Sequence, residues 1–234
     1  MASSNQHEKN IILQKLLHPK KINVFNEQLI YYKEYHYLSY QVNFKEKLLK
    51  FLKNKQPIFI FLALVDNLLS TTGHANSILI THNGNNIEIE RYDPWGVVQI
   101  LKYPQRKIDY HLKKWFSEII KEKINYYSAK DYCPLFGAQV YSQDKTGFCV
   151  SFTLFYVYYR LLHPELNRNQ VATYFKKENP KIILKNIKQF EKLFDKIKPK
   201  KNKKTKTKII DLNETKSKEI NEKEIKKDSW CSIQ

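Results

Sequence analysis

Cys149 closes the segment Gln143-Asp144-Lys145-Thr146-Gly147-Phe148-Cys149 and stands directly before Val150 to Leu162, an apolar run that reads as a buried helix. A thiol at the positive end of a helix is shifted toward thiolate, and reactive cysteines titrate at roughly 3.5 to 7.5 rather than about 8.5. Such a thiolate can attack a carbonyl carbon. Taken alone, Cys149 reads more readily as a small buried hydrophobe. The chemistry requires a base, a group that orients the base and donors for an oxyanion, so the partners decide.

The chain offers each partner in a suitable setting. Thr71-Thr72-Gly73-His74-Ala75-Asn76 puts His74 at the start of a strand, where a rigid element can hold an imidazole. Tyr92-Asp93-Pro94-Trp95-Gly96 puts Asp93 just past the end of another. Gln143, six residues before the cysteine, carries a side-chain amide that can donate to an oxyanion, and Gly147 lets the backbone turn sharply before the helix. Each has a plainer reading: a turn histidine, an Asp-Pro turn initiator, a surface amide. The remaining histidines are weaker candidates. His7, His18, His36, His111 and His163 fall in expected helices or at their ends, and His82 at a hairpin tip. Glu88 and Glu90 share one strand face and read as polar positions if that face is solvated. There is no metal-ligand spacing and no phosphate-binding glycine loop, so neither a metal nor a cofactor is expected.

These residues must be positioned by the elements around them. Ser77 to Thr81 and Ile87 to Tyr92 are β-rich runs joined by His82-Asn83-Gly84-Asn85-Asn86, and Asn-Gly between such runs is a strong hairpin signal. Pairing 77–81 with 87–91 sets the start of the first strand beside the end of the second, which brings His74 and Asp93 to one sheet edge. Ile58 to Val65 is a continuous apolar run expected as a central strand covered on both faces. Helices are expected over 6–17, where Asn5 and Glu8 make a capping-box pattern, and over 44–53, 107–124, 148–162, 168–176 and 181–197. Residues 22 to 43, crowded with tyrosines, read as irregular with short strands, and Phe136 to Tyr141 as a last strand. The whole is α+β.

The order His, then Asp within aromatic-Asp-Pro-aromatic-Gly, then Gln, then Cys six residues on at a helix start resembles the cysteine proteases that include adenovirus protease, the ubiquitin-like-protein (SUMO) proteases and the maturation proteases of large DNA viruses. The likeness covers about residues 58 to 165. It implies a central mixed β-sheet flanked by helices, with the catalytic cysteine at the N-terminus of a buried helix. It also implies Cys149 as nucleophile, His74 as general base and then acid, Asp93 as its orienter, and Gln143 as an oxyanion donor beside the Cys149 N–H. SUMO proteases carry Trp directly after the histidine and Gly directly after the cysteine. Here those positions are Ala75 and Val150, which moves the likeness toward the large-virus proteases.

With 234 residues, 42% of them hydrophobic, the chain suffices for one core, expected over 1–198. The net charge of +18 implies an acidic partner. Three cysteines, an odd number with no signal peptide, imply unpaired thiols in a reducing compartment such as the cytoplasm, and the resemblance to large-virus proteases implies the virion as a further location. From Pro199 to Asp228 the chain has eleven lysines, six acids and few large apolar residues, so 199–234 is expected as a disordered tail. It ends in Cys231-Ser232-Ile233-Gln234, a C-a-a-X prenylation pattern whose Gln favours farnesyl. The eight lysines of Lys196 to Lys208 would supply a second, electrostatic signal toward an anionic membrane. The expected protein is thus a monomeric, membrane-tethered cysteine endopeptidase acting on a polyprotein or a ubiquitin-like conjugate. Two alternatives stand beside it: an acyltransferase using the same residues, and a non-enzymatic basic adaptor for membrane or, non-specifically, nucleic acid.

Overall fold

One mixed sheet with helices on both faces forms the core of the computed structural model, which describes residues 13–15, 23–70, 73–97, 105–133, 136–141, 149–177 and 180–197. These all fall within the first of two units, Met1–Lys198; the second is Pro199–Gln234. The strands are β1 (Asn23–Tyr32), β2 (Tyr37–Ser39), β3 (Ile58–Val65), β4 (Gly73–Asn83), β5 (Asn86–Tyr92) and β6 (Ile124–Tyr127), in the spatial order β2-β1-β3-β4-β5-β6. β1 runs parallel to β3 and β5 parallel to β6, whereas β2 with β1, β3 with β4 and β4 with β5 are antiparallel.

The side-chain period of two distributes β3 between two cores. Ile58, Ile60, Leu62 and Leu64 join Ile78, Ile80, Ile87 and Ile89 against α1 (Phe44–Lys53) and α2 (Gln105–Ile119). Phe59 and Phe61 join Ala75 and Tyr92 on the other face, under α5 (Cys149–Leu162), α6 (Arg168–Lys177) and α7 (Pro180–Ile197). Two short helices, α3 (Ala129–Tyr132) and α4 (Ala138–Tyr141), lead into α5. Residues Ser151 to Val157 of α5 are all buried, as an apolar helix without a polar stripe must be. Because β3 is apolar on both faces, hydrophobicity alone does not fix its register. Its end is set by Gly73, which pairs with Val65 and passes so close that a Cβ there would lie 2.8 Å from the Leu64 carbonyl oxygen. That approach seats His74 opposite Leu64.

Three expectations are corrected. Residues 22–43 hold an inner strand and an edge strand. The inner strand, β1, skips register between Val24 and Gln28 and places Phe25, Leu29 and Tyr31 in the core that faces α1 and α2. The helix expected over 107–124 ends at Ile119, and Ile124–Tyr127 becomes β6 beyond the polar break Lys121-Glu122-Lys123. The last expected strand is instead the short helix α4, preceded by Gly137, whose N–H donates to the Trp95 carbonyl 2.8 Å away. The helices at 44–53, 148–162, 168–176 and 181–197 and the hairpin form as expected, to within a few residues. Of the helix expected over 6–17, residues 13–15 are helical, and the rest lies outside the described residues, as does the whole 199–234 tail.

Candidate active site

The hairpin joins His74 to Asp93. β4 extends back to Gly73, and Ser77 pairs with Tyr92, so the residue after β5 lies near the start of β4. His74 Nε2 stands 2.7 Å from Asp93 Oδ1, with His74 5% exposed and Asp93 fully buried. Facing an ionised carboxylate, Nε2–H is the donor. The Cys149 thiol lies within hydrogen-bonding reach of the imidazole, and the backbone N–H groups of Ala75 and Val150 are directed at the same sulfur. Cys149 is the first residue of α5 and is only partly buried, so the thiol is reachable.

Three shifts in acidity follow from this packing. Burial pushes the Cys149 thiol up, but hydrogen bonding and charge from His74, together with the two N–H groups, outweigh it and hold the thiol below its ordinary value. Burial disfavours the imidazolium, but the Asp93 carboxylate, as a charge and as an acceptor, and then Cys149 prevail, so His74 is pushed up to about 9. Burial likewise opposes ionisation of Asp93, yet His74, Arg91 and the Trp95 N–H keep its carboxyl below the usual range. Both members of the Cys149–His74 pair are therefore biased toward thiolate and imidazolium. Cys133, fully enclosed with no such partner set, is driven by burial to about 12.

Asp93 is itself held from three sides. Its Oδ1 accepts from the Trp95 backbone N–H at 2.9 Å, and its Oδ2 lies 3.7 Å from the Arg91 guanidinium. The Pro94–Gly96 turn is clamped by Gly137 and Gln139, whose N–H groups donate to the Trp95 and Pro94 carbonyls at 2.8 and 3.1 Å. A Cβ on Gly137 would fall 2.2 Å from the Pro94 oxygen, so only glycine fits there. Trp95 also stands edge-on to the His74 ring, 5.9 Å between centroids at 90°, and forms one wall of the site. On the opposite side of the pair, Thr153 Oγ1, one helical turn past Cys149, donates to the Ala75 carbonyl at 3.1 Å. That bond ties the cysteine helix to the histidine strand.

Sequence reasoning missed the groups behind the pair. Arg91 is fully buried on the α2 face of β5, where it grips Asp109 through two bonds of 2.7 and 3.0 Å and donates to Asn76. An arginine two residues before the aspartate, at the same strand parity, was the available signal. The plain reading of Glu88 and Glu90 is also corrected. On the α5 face Glu90 is buried, with Arg160 Nε at 3.3 Å and Arg168 Nε at 3.2 Å. Arg168 also bonds Glu88 and lies over the Tyr127 ring at 3.4 Å. His36 lies in the β1–β2 turn with φ 49° rather than in a helix. Gln143, Gly147 and Cys231 lie outside the described residues. Among the described residues no group of three or more His, Cys, Asp or Glu side chains is placed to hold a metal ion, and no helix is long and apolar enough to cross a membrane.

No family model matches the chain. No curated protein matches it either. Two crystal structures of the Legionella pneumophila effector protein RavZ resemble it in backbone course. One aligns with a TM-score of 0.39 at 14% identity over 62% of this chain and 43% of that one. The other aligns with a TM-score of 0.44 at 12% identity over 73% of this chain and 50% of that one. The chain thus spans half or less of the length of these structures.

Proposed function

We propose that the protein is a cysteine hydrolase that cleaves peptide or isopeptide bonds. The observation that carries this reading is the buried 2.7 Å contact of His74 Nε2 with Asp93 Oδ1, with the Cys149 thiol on the same imidazole. In this mechanism the Cys149 thiolate attacks the carbonyl carbon, a C–S bond forms, and the π pair moves to oxygen. The backbone N–H at the start of α5 and the Gln143 amide are the proposed donors for that oxyanion. Collapse expels the amine, which takes its proton from the His74 imidazolium, and leaves a thioester. Neutral His74 then takes a proton from water as the water attacks the thioester, and release of the acid restores thiolate and imidazolium. Asp93 keeps the ring in the productive orientation and supports its charge.

The substrate class is a protein: a polyprotein or a ubiquitin-like conjugate. Cys231 is proposed as the site of a prenyl thioether that, with the lysines of 196–208, brings the enzyme to the cytoplasmic face of a membrane. Labelling with an alkyne-bearing iodoacetamide, run beside hydrolysis of fluorogenic peptides, tests the catalytic reading. In a chain that also carries Cys231→Ser, which removes the tail thiol, Cys149→Ala is expected to abolish both, whereas Cys133→Ala leaves both intact. Undiminished labelling after Cys149→Ala would overturn the assignment of the nucleophile, and transfer of the acyl group to an amine without hydrolysis would make the protein an acyltransferase.

A further inference from the structure

Four of the large apolar side chains exposed among the described residues, Tyr35, Tyr37, Leu68 and Leu69, lie at the end of the sheet where β4 begins. The loop that follows β3 and leads to β4 carries Leu68 at 69% and Leu69 at 90% exposure. The neighbouring β1–β2 turn presents Tyr35 at 58%, and Tyr37, the first residue of β2, is 59% exposed. The two are joined at their bases, because Lys33 N–H donates to the Val65 carbonyl at 2.9 Å and Glu34 N–H to that of Asp66 at 3.0 Å. The leucines are not loose. Asn67 Oδ1 accepts from the Leu69 N–H at 3.0 Å and from Ser70 Oγ at 3.1 Å, while Asn67 N–H donates to Ser70 Oγ at 3.0 Å. This turn satisfies its own polar groups and holds two aliphatic side chains outward, a few residues before His74, where a water-soluble surface would ordinarily carry polar ones.

We infer that the Leu68–Leu69 loop is a specificity surface of the proposed hydrolase, which receives an aliphatic or aromatic side chain of the substrate polypeptide flanking the bond presented to Cys149. The inference rests on the reading of Cys149 and His74 as a hydrolytic pair. His74 is the second residue of β4, a few residues after Leu69, so in this reading a polypeptide whose scissile carbonyl reaches the Cys149–His74 pair passes close to the loop. Side-chain pockets or ledges beside a nucleophile discriminate by apolar contact made in the transition state. The charges at the base favour a polypeptide over an anionic lipid surface: Lys33 is accompanied by Glu34 and Asp66, with Asp66 3.9 Å from the Lys33 ammonium. That mixture offers no net attraction to a negatively charged leaflet.

The test compares the full chain with a Leu68→Ser/Leu69→Ser variant on an internally quenched octapeptide library, in parallel with the rate of Cys149 alkylation by iodoacetamide and with sedimentation on phosphatidylcholine and phosphatidylserine vesicles. The wild-type chain is expected to prefer Leu, Phe or Tyr at one position near the cleaved bond. The variant is expected to lose that preference, by on the order of ten-fold in kcat/KM, while alkylation and vesicle binding stay within about two-fold, a spread smaller than the effect of one methylene. Equal side-chain selectivity in both chains, or loss of vesicle binding with selectivity kept, overturns the inference and leaves the hydrolase reading intact. Alkylation of Cys149 without cleavage of any peptide by the wild-type chain overturns the hydrolase reading and this inference with it.

Discussion

A thiol and an imidazole 75 residues apart in the chain, with a buried carboxylate behind the imidazole, alter one another's acidity. Cys149 is held below its ordinary value chiefly by His74 against the opposing effect of burial, so thiolate is present above that lowered value and is lost as pH falls through it. His74 is raised to about 9, so imidazolium is present below that pH and is lost as pH rises through it. Hydrolysis needs both, one to attack and the other to protonate the leaving amine. The expected pH profile of kcat/KM is therefore a bell whose alkaline limb lies near 9 and whose acid limb lies below the usual thiol range. Asp93→Asn removes the main support of the imidazolium, so its alkaline limb should move down toward the ordinary histidine value of 6.5. A limb unmoved by that substitution would deny Asp93 its role. Behind the aspartate, Arg91 is committed to Asp109 and Asn76 and approaches Asp93 Oδ2 at 3.7 Å, which favours the ionised carboxylate without competing for the oxygen that His74 uses.

At the scale of elements, the site is a junction of three backbones. β4 brings His74, the turn after β5 brings Asp93, and α5 brings Cys149, and the turn after β5 is locked to the segment before α4 through Gly137. The 2.2 Å separation between a Cβ at position 137 and the Pro94 oxygen is tighter than any at Gly73 or Gly84. Gly137→Ala must push the Asp93 turn outward. The expected cost is about 1–3 kcal/mol, as for other overpacked positions, read by denaturant unfolding, together with slower alkylation of Cys149. A variant as stable and as reactive as the parent would show that the turn does not need this close approach. The helix carrying Cys149 owes its placement less to the cysteine than to the residues behind it: Phe152, Leu154, Phe155, Tyr156 and Val157 are all buried, and Thr153 bonds the Ala75 carbonyl.

For the whole molecule, the two parts of the chain have separable roles in the proposed function. The first unit, Met1–Lys198, carries the site, and the second, Pro199–Gln234, ends in the C-a-a-X pattern. Incubation of the full chain with a farnesyltransferase and farnesyl diphosphate is expected to add one farnesyl group at Cys231, seen as a single mass shift that Cys231→Ser abolishes. The same substitution should leave peptide hydrolysis unchanged, since the tail holds no member of the catalytic set. Farnesylation of neither chain, or of both alike, would remove the membrane anchor from the proposal.

Short-range chemistry in the sequence was enough for much of this. The Asn-Gly turn between two β-rich runs sets the β4–β5 hairpin, and that hairpin brings His74 to Asp93. The apolar length of 150–162 made a buried helix with Cys149 at its start, and Ile58–Val65 made a covered strand. Contacts whose signal is spread over the chain were not legible. A bulged register hid β1, and the polar segment 121–123 alone did not announce a strand after α2. Arg91 and Asn76 look like ordinary polar residues until strand parity turns them onto one face, beneath the helix that carries Asp109. The sequence by itself determined which residues can do the chemistry and which two share a hairpin, because turn type and hydrophobic period are local properties. Only the tertiary structure decided that α5 docks its first residue on His74 and that Arg91 stands behind Asp93, because those contacts depend on packing between elements distant in the chain.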